Sequence, residues 1–99
     1  MLDKLQSTDF HGCLNQVFRL RLEELDPIPL ELVSVTELGA PYVPGGRQPF
    51  SLLFLGPSGP RYLLQGTYHL EHDSLGAFDL FVVPLGPQAG RMRYEAVFT

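Results

Sequence analysis

The chain has 99 residues, of which 44% are hydrophobic, and it carries one cysteine and a formal charge of −4. This length is typical of a single domain with its own core, and one cysteine excludes an internal disulfide or a thiolate metal cluster within one chain. Six arginines and one lysine are scattered among eleven acidic residues, without the basic stripe that binding to nucleic-acid phosphates needs. We therefore expect one β domain over residues 1–99 and no nucleic-acid partner.

No apolar run in the sequence approaches the roughly 18 residues of a membrane span. Met1–Leu5 also lacks the positively charged and then apolar pattern of a signal peptide. We therefore expect a cytoplasmic protein that has no membrane partner.

Residues 1–16 are the only helical candidate in the sequence. Ser7 can cap one short helical turn, and such a short helix must be held by packing because it has no stability of its own. We expect Leu2, Leu5 and Phe10 to provide that packing against a sheet.

Alternating apolar residues between Pro- and Gly-rich breaks predict six strands. They cover residues 17–22, 30–38, 50–55, 65–72, 77–84 and 91–98. The clearest signal is residues 65–84, where Tyr68, Leu70 and His72 alternate with other side chains before the turn Asp73–Gly76. In the sixth strand the inward set is Met92, Tyr94, Ala96 and Phe98.

The second predicted strand changes its apolar phase near Val33. Leu30 and Leu32 share one parity, whereas Val33 and Val35 share the other. A β-bulge at this point would turn all four side chains toward the core.

Six strands without crossover helices predict an all-β fold, an antiparallel meander that forms a small barrel or a curled sandwich. Strand six would then lie beside strand one and permit closure. The connections 23–29, 56–64 and 85–90 would share one end, and the 39–49 loop, the 73–76 turn and both termini would share the other.

His69, Glu71 and Asp73 share one side of the fourth predicted strand, where they could chelate a divalent ion. A metal site usually also needs histidines from another element and supporting contacts, and His11 is the only histidine outside this strand. We therefore predict a solvated polar face and no metal. His72 has the opposite parity.

No serine or cysteine in the sequence has a catalytic motif around it. Ser58 lies in Gly56–Pro60, whose prolines and missing helix indicate a plain loop rather than a nucleophile turn. We expect no enzymatic activity and no cofactor.

Two loops carry residue types that are common at protein interfaces. Tyr42, Val43 and Arg47 lie in the long 39–49 loop, and Tyr62 follows another Pro/Gly break. Tyrosine and arginine are frequent interface anchors, so these four residues are candidate contacts to a partner.

The strands themselves offer a second candidate surface. Leu53 and Leu55, together with Phe81 and Val83, have a parity that could place them outside the sheet. A large exposed apolar patch usually marks a partner site. The alternative is that residues 1–16 cover this surface.

Short motifs are spread along nearly the whole chain. They are Met1–Leu5, Asp9-Phe10, Phe18–Leu20, Val35–Glu37, Pro49–Phe54 with Gly56-Pro57, Gln65–Tyr68, Leu70–His72, Leu75-Gly76, Asp79–Phe81, Val83-Pro84 and Tyr94–Phe98. In this combination the chain resembles a small bacterial family known only as a domain of unknown function. The resemblance carries no activity, and it implies an accessory or assembly role beside phage-tail-collar or tail-fibre-like proteins.

Some motif residues are not needed for a core, notably Glu71-His72 and Tyr94-Glu95. A polar cluster is therefore a further candidate site, with the members His69, Glu71, His72, Asp73, Tyr94 and Glu95.

Our leading hypothesis is a non-enzymatic structural or interaction domain that binds a protein partner or associates with itself, with strand-edge pairing as a natural mode. The alternative is a small-molecule or metal-binding β-barrel with its mouth at the 39–49 loop and His72 inside.

Overall fold

The computed structural model describes residues 5–41 and 43–99. One short helix, α1 (Ser7–His11), precedes six strands: β1 (Val17–Arg21), β2 (Ile28–Glu37), β3 (Phe50–Ser58), β4 (Gly66–His72), β5 (Gly76–Gln88) and β6 (Arg91–Phe98). The predicted packing of Leu2 lies outside the described residues. Within them, no helix is long and apolar enough to cross a membrane.

The six strands close into an antiparallel barrel in the order β1-β2-β3-β6-β5-β4. This confirms the predicted all-β class and the small antiparallel barrel. The meander order is wrong, because β6 pairs with β3 and β4 pairs with β1.

The changed order is visible in residues 59–65, which connect β3 to β4, two strands that do not pair with each other. Leu63 in this segment is buried, and its backbone N–H donates to the Tyr94 hydroxyl at 2.8 Å. The segment therefore crosses one end of the barrel instead of turning back as a hairpin. The three-stranded units β1–β3 and β4–β6 pair along both edges, which protects edges that would otherwise be open.

The connections group at the two ends of the barrel as predicted. One end, which we call the helix end, carries α1, residues 38–49 and residues 73–75; the other, the crossover end, carries residues 22–27, 59–65 and 89–90. The grouping survives the change of order because consecutive strands run antiparallel in both arrangements.

The predicted β-bulge in β2 is confirmed by a register shift between Leu32 and Ser34. Leu32 is buried, and Val35 packs against the core beyond the shift. Val33 itself is only partly buried and lies outside the core cluster. The expectation of an inward Val33 is therefore wrong, because the inserted residue of a bulge has no position in the alternating pattern.

Aromatic rings fill the helix end of the barrel. Phe10 is fully buried, and its ring centroid lies between 5.3 and 6.2 Å from those of Phe18, Phe50, Phe78 and Phe98. Other large side chains with no exposed surface are Phe54, Leu20, Leu30, Leu32, Leu52, Leu70 and Val82. Helix α1 thus closes the end at which the sequence had suggested a ligand mouth.

Helix α1 is capped by Gln6 rather than by the predicted Ser7. The backbone N–H of Gln6 donates to Asp9 Oδ2 at 2.8 Å, which satisfies a donor at the helix start. A helix of five residues has little stability of its own. Burial of Phe10 therefore holds it in place.

Candidate interaction surface

His72 points into the barrel at the helix end and is almost fully buried. The backbone N–H groups of Ser74 and Leu75 lie 3.0 and 3.3 Å from its Nδ1 and donate to it. Nδ1 is therefore the unprotonated nitrogen, and the protonated Nε2 donates to Gln16 Oε1 at 2.7 Å. These contacts connect the β4–β5 turn to the segment before β1. The role of His72 in the fold is therefore structural.

Cys13 lies beside His72, but the pair is not arranged as a nucleophile and its base. Cys13 Sγ is 4.0 Å from His72 Nδ1, and two backbone donors already share that nitrogen. Burial, and to a lesser extent the Asp9 carboxylate, raises the pKa of the Cys13 thiol. Because the thiolate is the reactive form, the thiol is poorly suited to attack.

The exterior of β1 and β4, together with the turn that follows β4, forms a charged face, defined by Arg19, Arg21, His69, Glu71 and Asp73. Arg21 Nη2 lies 2.9 Å from Glu71 Oε1, and Arg19 Nη2 lies 3.0 Å from Asp73 Oδ1. The hydrogen bond from Arg21 is the main cause that lowers the pKa of the Glu71 carboxyl. The acidic side chains of this face therefore have arginine partners.

The charged face has the parity that the sequence predicts for β4. His69 and Glu71 lie on the same outer side, and His69 Nδ1 is 2.9 Å from Asp79 Oδ1. In the described part of the chain, no three His, Cys, Asp or Glu side chains are arranged to hold a metal ion.

The six polar candidates do not form one cluster. Tyr94 is buried inside the barrel on β6, and β5 separates β6 from β4. Glu95 points outward on β6, away from the charged face, and His72 lies inside at the helix end. The expectation of a single polar cluster is wrong because the strand order separates β6 from β4, and because side-chain alternation turns His72 inward while Glu71 points outward.

Tyr94→Phe is expected to reduce the decrease in the free energy of unfolding that occurs when the pH becomes alkaline. Burial raises the pKa of the Tyr94 hydroxyl, although the N–H of Leu63, which donates to it, opposes part of this rise. Below about pH 10, the ordinary pKa of tyrosine, the Tyr94 hydroxyl is protonated in both the folded and the unfolded state. Its contribution to the free energy of unfolding is then fully present. As the pH rises toward the raised folded pKa, the unfolded state ionises first and the free energy of unfolding falls.

Urea unfolding at neutral pH and at about pH 10.5 measures this effect. We expect a smaller loss between the two pH values for Tyr94→Phe than for the wild type, whereas Tyr62→Phe, which alters an exposed ring, should behave as the wild type. Identical pH dependence in all three proteins would contradict the prediction.

The exterior of β3, β6 and β5 forms an apolar face, defined by Leu53, Leu55, Phe81, Val83 and Val97. Phe81 is 52% exposed and Val97 is 50% exposed, and the other three are partly buried. Leu53 and Val83 both pair with position 95 of β6. Their side chains therefore flank the same strand on the outside of the barrel.

The described part of the N-terminal segment does not cover the apolar face. Helix α1 contacts β2 and inserts Phe10 into the helix end. Phe81 and Val97 keep about half of their surface exposed. The sequence left open whether the apolar face is exposed or is covered by residues 1–16. The positions of residues 5–16 support an exposed face.

The arginine of the 39–49 loop, Arg47, contacts other parts of the same domain. Arg47 Nη1 donates to the Leu5 carbonyl at 2.9 Å, and its guanidinium carbon lies 5.2 Å from the centroid of the Phe98 ring. Arg47 thus fastens the loop to the N-terminal segment. Val43 is exposed, and Tyr42 lies outside the described residues.

Tyr62 lies at the crossover end between two surface grooves. One groove of about 570 Å³ adjoins Pro84 and Pro87, and one of about 480 Å³ adjoins Leu25 and Ile28. Tyr62 lines both and is 56% exposed. A partner contact through Tyr62 is sterically open and stays a prediction.

The protein is thus a closed six-stranded antiparallel barrel with a filled helix end, a charged face and an apolar face. The family model of a domain of unknown function, DUF6916, matches residues 5–98, so the chain belongs to that family. This confirms the resemblance to a domain-of-unknown-function family. Comparison with curated proteins and with solved structures found no match.

Val97 belongs to the apolar face but was not among the outward residues predicted from the sequence. Its neighbours Ala96 and Phe98 are buried, and they were predicted to point inward. The same alternation places Val97 outside. An apolar residue at an outward position of a strand is thus the signal that could have identified it.

Proposed function

We propose that this domain is a non-enzymatic interaction module that binds a protein partner through the apolar face. The observation that carries the proposal is the grouping of five outward apolar side chains, of which Phe81 and Val97 are half exposed. Exposed patches of this kind usually mark binding surfaces on soluble domains. An accessory role in a tail-like assembly, which the motif resemblance implies, is the setting that we propose for this interaction.

The chemistry of the interior supports a non-enzymatic role. His72 uses both ring nitrogens in contacts that hold a turn, and the thiol of Cys13 is buried with a raised pKa. A general base needs a free lone pair within reach of its proton donor.

Barrel closure changes the mode of interaction that the sequence favoured. Strand-edge pairing needs an edge with free backbone groups, but the units β1–β3 and β4–β6 pair along both edges. Contacts made by outward side chains are therefore the mode that we propose.

The test uses two valines of equal exposure on different sides of the barrel. Val97 on the apolar face is 50% exposed, and Val17 on β1 is 48% exposed. The tagged wild type, Val97→Lys and Val17→Lys are compared for retention of proteins from an extract of the source cells, with an untagged copy of the chain included.

We expect at least one protein, or the untagged copy, to be retained by the wild type and by Val17→Lys. Val97→Lys should retain it at least about tenfold more weakly, because a buried unpaired charge is costly at an interface. If every retained protein binds the two lysine variants equally, the apolar face is not the binding surface and the proposal fails.

A ligand-binding barrel is the second candidate function, and a groove at the crossover end is the observation that favours it. The groove of about 480 Å³ is lined largely by apolar side chains, including Leu25, Ile28 and Tyr62, and this composition is common in small-molecule sites. Native mass spectrometry of the purified protein and thermal-shift screening with metals and small molecules test it. A bound adduct whose loss lowers the melting temperature would support it, whereas no adduct and no shift would remove it.

A further inference from the structure

Two opposite charges lie in the middle of the apolar face. On β6, Arg93 and Glu95 point outward on either side of the buried Tyr94. Position 95 pairs with Leu53 on one side and Val83 on the other, and position 93 pairs with Leu55. Arg93 and Glu95 therefore form a charged column along β6, with aliphatic side chains on either side of it.

Neither charge is neutralised within the described residues. Glu95 is half-buried between Leu53 and Val83 and makes no hydrogen bond or ion pair there. Arg93 donates only to the backbone carbonyls of Gly86 and Leu85, at 3.3 and 3.4 Å. A carboxylate in partly apolar surroundings is stabilised by a cation that a partner brings.

We propose that the partner of this face is a second copy of the same chain. This inference rests on the proposed function, since it names the occupant of the same surface. The two-fold axis lies in the plane between the two faces and runs across the strands, passing between positions 93 and 95. Rotation about this axis places Glu95 opposite Arg93 of the second copy, and Arg93 opposite Glu95 of the second copy.

The same rotation also brings the two outward leucines of β3 together. Because the axis runs across the strands, β3 of one copy faces β3 of the other in the opposite direction. Leu53 then lies opposite Leu55 of the second copy. Each contact occurs twice, as in any isologous interface.

The alternative two-fold axis, parallel to β6, is disfavoured by charge. It would place Glu95 against Glu95 and Arg93 against Arg93, and like charges facing each other at an interface are strongly unfavourable. The order of charges along β6 therefore selects the antiparallel arrangement.

Sedimentation velocity from about 5 to about 500 μM tests the inference with charge-reversed variants. Arg93→Glu makes the column wholly acidic, and Glu95→Arg makes it wholly basic. Each variant alone should dimerise at least about tenfold more weakly than the wild type. An equimolar mixture of the two should form a heterodimer, since acidic and basic columns then face each other, and the double variant R93E/E95R should recover the homodimer.

Circular dichroism and a thermal melt of each variant establish that it is folded, and Val17→Lys is the surface control that should dimerise as the wild type. A mixture that associates no more tightly than either single variant would overturn the inference, and so would a wild type that is monomeric at the highest concentration. If the wild type is monomeric but another protein binds in a manner that depends on Val97, the second-copy inference fails and the proposed function stands. If the face binds neither, both fail.

Discussion

Replacing Phe10 by alanine is expected to lower the free energy of unfolding by about 3–5 kcal/mol. Phe10 has no exposed surface, and its ring touches a cluster that includes Phe18, Phe50 and Phe98. The truncation would lose the transfer free energy of the ring and leave a cavity at the helix end. It would also release α1, because five residues cannot form a stable helix without tertiary packing.

Phe81→Ala is the matched control, since it removes the same ring from a position that is 52% exposed. We expect it to cost less than about 1 kcal/mol. Urea unfolding followed by circular dichroism measures both variants. Equal losses of stability would mean that Phe10 does not close the barrel. A larger loss for Phe81→Ala would mean that Phe81, and not its neighbours on β5, points into the core.

The second large effect is expected at His72. His72→Ala should cost about 2–4 kcal/mol, because it removes a buried ring and leaves the N–H groups of Ser74 and Leu75 without their acceptor. The ring also packs on Phe18, with centroids 4.5 Å apart. Denaturant unfolding of the purified variant gives the magnitude.

Two conservative variants divide the contribution of His72 between its nitrogens. His72→Asn keeps an oxygen near the position of Nδ1, where it can accept from the turn, and should recover part of the loss. His72→Gln instead reaches toward Gln16, the partner of Nε2, and should recover less if the turn contacts dominate. A loss below about 0.5 kcal/mol for His72→Ala would show that this network is not structural.

The alternation of side chains was predictable because it is a local property of an extended chain. Leu80 is inside and Phe81 outside for the same reason that Tyr94 is inside and Glu95 outside: successive residues of a strand point to opposite faces. The bulge in β2 was predictable because a change of apolar phase leaves a trace in the sequence. The apolar face was predictable in part for the same reason.

The charged face was only half predictable. The shared parity of His69 and Glu71 follows from β4 alone, but the arginines that bind the acids come from β1. Arg19 and Arg21 reach them because β1 pairs with β4, whereas the meander would have placed β1 beside β6. A cross-strand partner depends on strand order, which side-chain period does not encode.

Local patterns were enough to predict six strands, the positions of most turns and the apolar side of most strands, since these features depend on neighbours within a few residues. Three features became visible only in the folded chain: the segment around Leu63 crosses the barrel, Phe10 closes the other end, and the apolar positions of β3, β5 and β6 meet on one face. These outcomes depend on which edges pair and on what fills the interior. Both are set by free-energy differences among distant contacts that no local pattern records.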